Sequence, residues 1–386
     1  IVKNRPVVLK RACRHLYVVN SKALEMVGIT ADTPDPEGGS IDRDDSGKPT
    51  GVLREKAIDL VDPYIKIKDK EARKKIIELG LQECLSVGLT TVQTNDIKAW
   101  QIYSELEDEG KLPIRVSLVP MHDEINEEHF PLPQTKKGLL QIDRVKLLAD
   151  GGLGGHTAAL REPYDDTGEK GQLIYTQEVL DEKTKLAKEK GYRLEIHGIG
   201  DLAVEYILNS FEAAGLTKDD RPVLTHCQVL GEDLIKRMEK MGVIASIQPP
   251  FVTTDSQWVE KRLGKMERLK YAYAWKTLID NGLFVASGSD SPVEKPDPLS
   301  GLYAAIFRYD PQGEVWRPEE CLTFDQALKT YTEGAAYAIQ EENSLGKLEE
   351  SYKADFIVID QDVSSQPELL KDTKVEQVWV DGKRSK

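Results

Sequence analysis

The most constraining feature of this chain is an alternation that runs from residue 71 to residue 290. Seven β-like stretches, at 89–94, 114–119, 144–149, 193–197, 223–226, 243–247 and 284–287, are separated by helical stretches such as 70–86, 98–109, 176–190, 202–214, 232–241 and 270–281. Strands that follow one another through a helix pair in parallel, because a parallel neighbour is reached only by a long crossover. No glycine-rich dinucleotide loop follows the first of them, and Gly198-Ile199-Gly200 lacks the third glycine of such a loop. A parallel barrel is therefore expected rather than an open doubly wound sheet, and 386 residues leave room for appendages. A further helix is expected at 323–340 and two short strands at 354–359 and 375–380, the second ending in the turn dipeptide Asp381-Gly382.

Period-two alternation assigns faces to these strands. In 144–150 one face carries Arg144, Lys146, Leu148 and Asp150, and the other Val145, Leu147 and Ala149. In 192–197 one face carries Arg193, Glu195 and His197, and the other Tyr192, Leu194 and Ile196. The apolar faces suit packing under helices, so the polar faces must point inward, where an unpaired ionisable group is costly. Metal ligation is one reason to keep such groups there. His197 and His226 close successive strands, one βα unit apart, and Asp290 follows the last strand in Gly288-Ser289-Asp290-Ser291-Pro292. In parallel barrels the active site lies at the carboxyl ends of the strands, so these groups and Lys146 are expected to converge on one mouth. Read singly, each has a plain alternative: a hydrogen-bonded core histidine, a solvated lysine, a turn aspartate.

The stretches 15–24 (HLYVVNSKAL), 51–55 (GVLRE), 88–92 (GLTTV), 145–151 (VKLLADG), 157–160 (TAAL), 195–201 (EIHGIGD), 225–228 (THCQ), 288–292 (GSDSP) and 353–358 (KADFIV) carry a resemblance. They resemble, in order and across nearly the whole chain, family 3 of the amidohydrolase superfamily, the YtcJ-like branch that includes N-substituted formamide deformylases. The resemblance implies an α/β fold, a (β/α)8 TIM barrel with a small β appendage at the carboxyl end. It implies a divalent-metal centre in which a carbamylated Lys146, His197 and His226 hold one ion and Asp290 holds the other. Zinc is favoured by such ligands, though iron, manganese or cobalt suits them too. It further implies hydrolysis of amide or cyclic-amide C–N bonds by a metal-activated water, with Asp290 as general base and Lys146 and His226 in the catalytic set. His15, with Arg14 and Asn20, is expected over the pocket, and Asp150, His156 and Gln248 are expected as substrate contacts alongside Arg161.

The family's first strand ends in a His-x-His pair, and the six histidines here (15, 122, 129, 156, 197 and 226) include none. The first strand is therefore expected upstream of Ile1, with residues 1–70 a segment inserted after it, 71–345 the barrel and 346–386 half of a small β domain. One ion is expected where an intact relative holds two. A non-catalytic ligand-binding or regulatory barrel, an inactive fragment and a phosphoester hydrolase are the competing readings. The formal charge of −14 argues against nucleic-acid or anionic-membrane partners. No apolar run approaches the length of a spanning helix. Four dispersed cysteines, at 13, 84, 227 and 321, fit a reducing, cytoplasmic setting. The expected partner is a small amide-type substrate, with a homo-oligomer left open.

Overall fold

The computed structural model describes residues 2, 4–65, 67, 69–264 and 266–386. The chain opens with an antiparallel sheet of β1 (Val8–Lys10), β2 (Leu16–Val19), β3 (Gly39–Arg43) and β4 (Pro49–Glu55), in the order β1-β2-β4-β3. Its own core of Tyr17, Val19, Ile41 and Leu53 packs against Leu24 of the short helix Ser21–Val27. Asn20 caps the start of that helix, accepting from Ala23 N at 3.0 Å, so its side chain is engaged locally rather than in a pocket.

The seven expected strands are all present. The first three are β5 (Thr91–Thr94), β6 (Arg115–Leu118) and β9 (Arg144–Leu148), with an unexpected hairpin of β7 (Thr135–Lys137) and β8 (Leu140–Ile142) just before β9. After these come β10 (Arg193–Gly198), β11 (Val223–His226), β12 (Ile244–Ile247) and β13 (Val285–Ser287). β9 to β13 form one parallel sheet in sequence order, and β5, β6 and β8 form a second, also parallel, with β7 antiparallel at its edge. The two sheets are continuous through the Met121↔Lys146 bridge and the Lys146 N to Pro120 O bond of 2.8 Å. Between Leu118↔Ile142 and Met121↔Lys146 one extra residue is accommodated near Asp143, a bulge that bends the β8–β9 stave. Among the described residues no strand pairs with the outer edge of β5 or of β13, so a closed barrel is not shown.

The face assignments hold. Val145, Leu147 and Ala149 of the β9 stretch, with Leu194 and Ile196 of β10, join the largest core under the helices Gln177–Glu189, Asp201–Ala213 and Glu232–Met241. Two helical expectations change. The stretch 323–340 splits into Phe324–Tyr331 and Glu333–Ala338 at Thr332, whose Oγ1 turns back onto Leu328 O at 2.9 Å. Gly334 then presses onto β13, where a Cβ would sit 2.0 Å from Val285 O. The stretch 270–281 is helical only over Trp275–Asp280, because Ala272 is drawn into a bridge with Val229. Two further helices, Phe251–Leu263 and Pro298–Phe307, lie beyond the sequence expectation. The tail strands β14 (Phe356–Ile359) and β15 (Val375–Val380) pair with each other and with a third, β16 (Lys383–Arg384). Asp381 and Gly382, both at positive φ, make the hairpin turn between β15 and β16. No helix among the described residues is long and apolar enough to cross a membrane.

Candidate active site

Lys146 on β9 is the register partner of Glu195 on β10. Its Nζ donates to Glu195 Oε1 and to Thr225 Oγ1, both at 2.7 Å, and Thr225 Oγ1 donates to Glu195 Oε1 at 3.0 Å. Arg144 Nε lies 3.1 Å from Glu195 Oε2. Burial alone pushes the Glu195 carboxyl up, but the Lys146 and Arg144 charges overcome it and hold the group at about 2. Glu195, Thr225 and Arg144 were absent from the expected site. Alternation places Glu195 on the Lys146 face, but the pairing itself needs the register between β9 and β10.

The two imidazoles sit one strand apart. The His197 and His226 rings meet edge to face with centroids 4.4 Å apart. His197 Nε2 is held by Gly151 O at 3.2 Å and Asp150 Oδ1 at 3.3 Å. His226 Nδ1 faces Gln248 Oε1 at 2.7 Å, while Gln248 Nε2 donates to Ser246 O at 3.3 Å, which fixes the amide's orientation. Each ring is thus held by one nitrogen. No hydrogen bond among the described residues occupies His197 Nδ1 or His226 Nε2, and neither atom is a buried orphan. Burial, then the neighbouring His197 and Lys146 charges, push His226 well below its usual range, so it stands neutral near neutral pH. β11 ends at His226 with positive φ (84°), and Cys227 just beyond it is also at positive φ (51°), a costly backbone that aims the ring.

Asp290 lies three residues beyond β13, also at positive φ (54°). Its side chain is solvent-exposed, although protein atoms are dense around it. Burial raises its carboxyl, and the charges of Lys146, His197, His15 and Arg14 only partly offset this. His15 reaches in from the amino-terminal sheet, its ring 5.1 Å from that of His197. Its Nδ1 bonds Glu55 Oε2 at 2.7 Å, and Glu55 Oε1 is a buried oxygen with no partner. Burial opposes the His15 cation, but Glu55 outweighs it and raises the imidazole. A side chain at Gly151 would push on the carboxylate that holds His15, since a Cβ would sit 2.0 Å from Glu55 Oε1.

The four residues expected near the substrate, Asp150, Gln248, His156 and Arg161, make other contacts. Asp150 is fully buried, and its oxygens accept from Ile199 N (3.0 Å), Gly200 N (2.8 Å) and Ala159 N (2.9 Å) besides facing His197. It is a scaffold that orients His197, because no lone pair is left facing the cleft. Gln248, 3 % exposed, orients His226 in the same way. His156 faces Asp166 at 3.1 Å and packs edge-on to Tyr164, pinning the loop after β9. Arg161 is committed to Glu205 and Asp233. Among the described residues no group of three or more His, Cys, Asp or Glu side chains is arranged to hold a metal ion.

A model of the amidohydrolase family matches residues 1–385. The putative amidohydrolase YtcJ of Bacillus subtilis is 39% identical over 370 residues, covering 93% of this chain and 70% of its own length. N-substituted formamide deformylase of Arthrobacter pascens is 27% identical, covering 99% of this chain and 73% of its own. The crystal structure of an uncharacterised metal-dependent hydrolase from Pyrococcus furiosus superposes with a TM-score of 0.76 at 32% identity, covering 94% of this chain and 74% of that one. With its parallel strands, its paired imidazoles and these relatives, the chain belongs to the amidohydrolase family.

Proposed function

We propose that this protein is a metal-dependent hydrolase acting on amide-type C–N bonds of small molecules. The observation that carries the reading is the pair of free ring nitrogens, His197 Nδ1 and His226 Nε2, each opposed by a hydrogen bond on the other nitrogen. That arrangement fits a divalent ion, since a ligating imidazole is fixed through its second nitrogen. A carbamate on Lys146 would add a third donor and would replace a cation beside the ion with oxygen; Asp290 stands near both. Zinc suits this set. A bound divalent ion supplies Lewis acidity, polarising a carbonyl oxygen and making water nucleophilic near neutral pH.

The chain's own groups do the rest. Asp290 accepts a proton from the attacking water and returns it to the departing nitrogen, a task that suits a carboxyl raised above its ordinary range. His15, fixed by Glu55, contacts the substrate from the amino-terminal sheet. Phe251 stacks on the His226 ring and keeps that side of it dry. The full (β/α)8 barrel belongs to this proposal.

The test is amine release from N-alkyl and N-aryl formamides and from cyclic amides, with zinc-loaded and chelator-treated protein, since one relative is named for deformylating N-substituted formamides. Activity is expected only in the loaded protein and is lost in Asp290→Asn and His226→Ala. Turnover indifferent to chelation and to both substitutions overturns the proposal. The ion pair of Lys146 with Glu195 favours a second reading, a ligand-binding barrel without turnover. Saturable binding of formamides with no amine released marks that case.

A further inference from the structure

Arg308 follows the helix Pro298–Phe307 and is fully buried. Its guanidinium lies between two indoles, with Cζ 5.1 Å from the Trp275 ring centroid and 5.3 Å from that of Trp316. Nε donates to Trp316 O at 3.1 Å. Nη1 and Nη2 are buried and have no hydrogen-bond partner, and neither has the indole Nε1 of Trp275. Three buried nitrogens that can only donate therefore share one neighbourhood.

The nearby carboxylates do not serve them. Glu319 Oε1 accepts from Arg317 Nε at 2.9 Å. Glu320 accepts from Thr277 N at 3.0 Å and from the Thr277 hydroxyl, and stands 3.7 Å from Arg317 Nη2. Burial and the Arg317 charge bring the Arg308 guanidinium down to about 10, so it remains a cation at neutral pH. A buried cation with its terminal nitrogens unmatched is unfavourable unless something accepts from them. Water accepts two hydrogen bonds and must place its own two protons, which a set of donors cannot take. An anion accepts from several donors at once and offsets the charge.

We propose that Arg308 and the Trp275 indole N–H form a buried binding site for a compact monovalent anion of chloride size. The anion accepts from Arg308 Nη1 or Nη2 and, in the plane of the Trp275 ring, from its indole N–H. It ties the turn Tyr309–Val315, closed by its own bridge, to the body of the protein. The site is separate from the metal-ligand candidates and stands whether or not the hydrolase reading does.

The experiment compares thermal unfolding of the full chain in sodium chloride and in sodium gluconate at fixed ionic strength. Chloride is expected to raise the melting temperature along a saturating curve. Trp275→Phe keeps the stacking ring and removes the N–H; its half-saturating chloride concentration is expected to rise several-fold. Arg308→Met is expected to abolish the chloride effect. Should Arg308→Met not fold, Trp275→Phe still decides. Crystals grown in bromide provide an independent arm, with an anomalous peak expected within hydrogen-bond distance of Arg308 Nη1 or Nη2. Identical melting in the two salts, a linear rise shared by Trp275→Phe, or a water at that position in bromide crystals overturns the proposal.

Discussion

At the scale of single residues, the mouth of the strand array holds more ionisable groups than the metal-ligand candidates. Asp255, on the helix Phe251–Leu263 one turn beyond Phe251, accepts from Tyr273 Oη at 2.7 Å and from Gln228 Nε2 at 3.3 Å, both on Oδ2. Burial, helped by the nearby Glu294 charge, pushes its carboxyl up to about 7 against the pull of Tyr273, Gln228 and Arg11. Unfolded, an aspartate releases its proton near about 3.9. Between the two values the folded chain carries an extra proton, so stability falls as pH rises through that window and levels off above about 7. Asp255→Asn cannot ionise and keeps an acceptor for Tyr273. It is expected to match the parent protein near pH ~4 and to exceed it by about 2 kcal/mol above pH ~7, less than the full shift would give because Asp255 is partly open to water. Denaturant melts across the range check this, and parallel stability curves for the two proteins would refute it. The residue scale is also where sequence reasoning reached least far. The strand positions of Lys146, His197 and His226 follow from alternation. The work of Asp150 and Gln248 does not, because it depends on the turns that bring their oxygens to the imidazoles.

At the scale of elements, the parallel strands were legible because burial on both faces leaves short runs whose polar members stand out in period two. The amino-terminal sheet was not, because its strands are separated by turn-rich stretches such as 34–50, and its pairing is set by those turns. The tail strands were legible but their anchor was not. Arg115, at the head of β6, donates to Asp355 at 2.6 and 3.2 Å and to Asp381 at 2.7 Å, joining strands 240 and 266 positions apart. Val378 and Val380 complete the join by packing into the core under β6 and β8. Arg115→Met would leave the Asp355 carboxylate buried and short of its cation. A loss of about 3 kcal/mol is expected in urea unfolding, with partial recovery in the double variant that also carries Asp355→Leu. A loss below about 0.5 kcal/mol would mean that the pair behaves as an exposed one.

At the scale of the whole molecule, the array is, among the described residues, seven parallel staves with two unpaired outer edges, and the helix Glu333–Ala338 lies against both: Gln93 of β5 donates to Ala335 O at 3.0 Å, and Gly334 meets Val285 of β13. The same helix end closes the amino-terminal side, where Arg144 and Arg193 donate to Ala338 O at 2.8 and 3.0 Å. His197, His226 and Asp290 stand at the carboxyl ends of their strands, so the candidate site and this closure lie at opposite ends. The proposed function carries an expectation for the number of ions. Two imidazole nitrogens and a carbamylated Lys146 would make three donors, the number that holds one ion with a position left for substrate. After equilibrium dialysis against zinc, about one ion per chain is expected by elemental analysis. Dialysis against a chelator should lower the melting temperature, because an ion that binds only the folded chain stabilises it by mass action. Lys146→Met should weaken retention, whereas Lys236→Met, a change in an exposed helix pair with Glu232, should not. Two tightly held ions per chain, or retention unchanged by Lys146→Met, would show that other side chains supply the site.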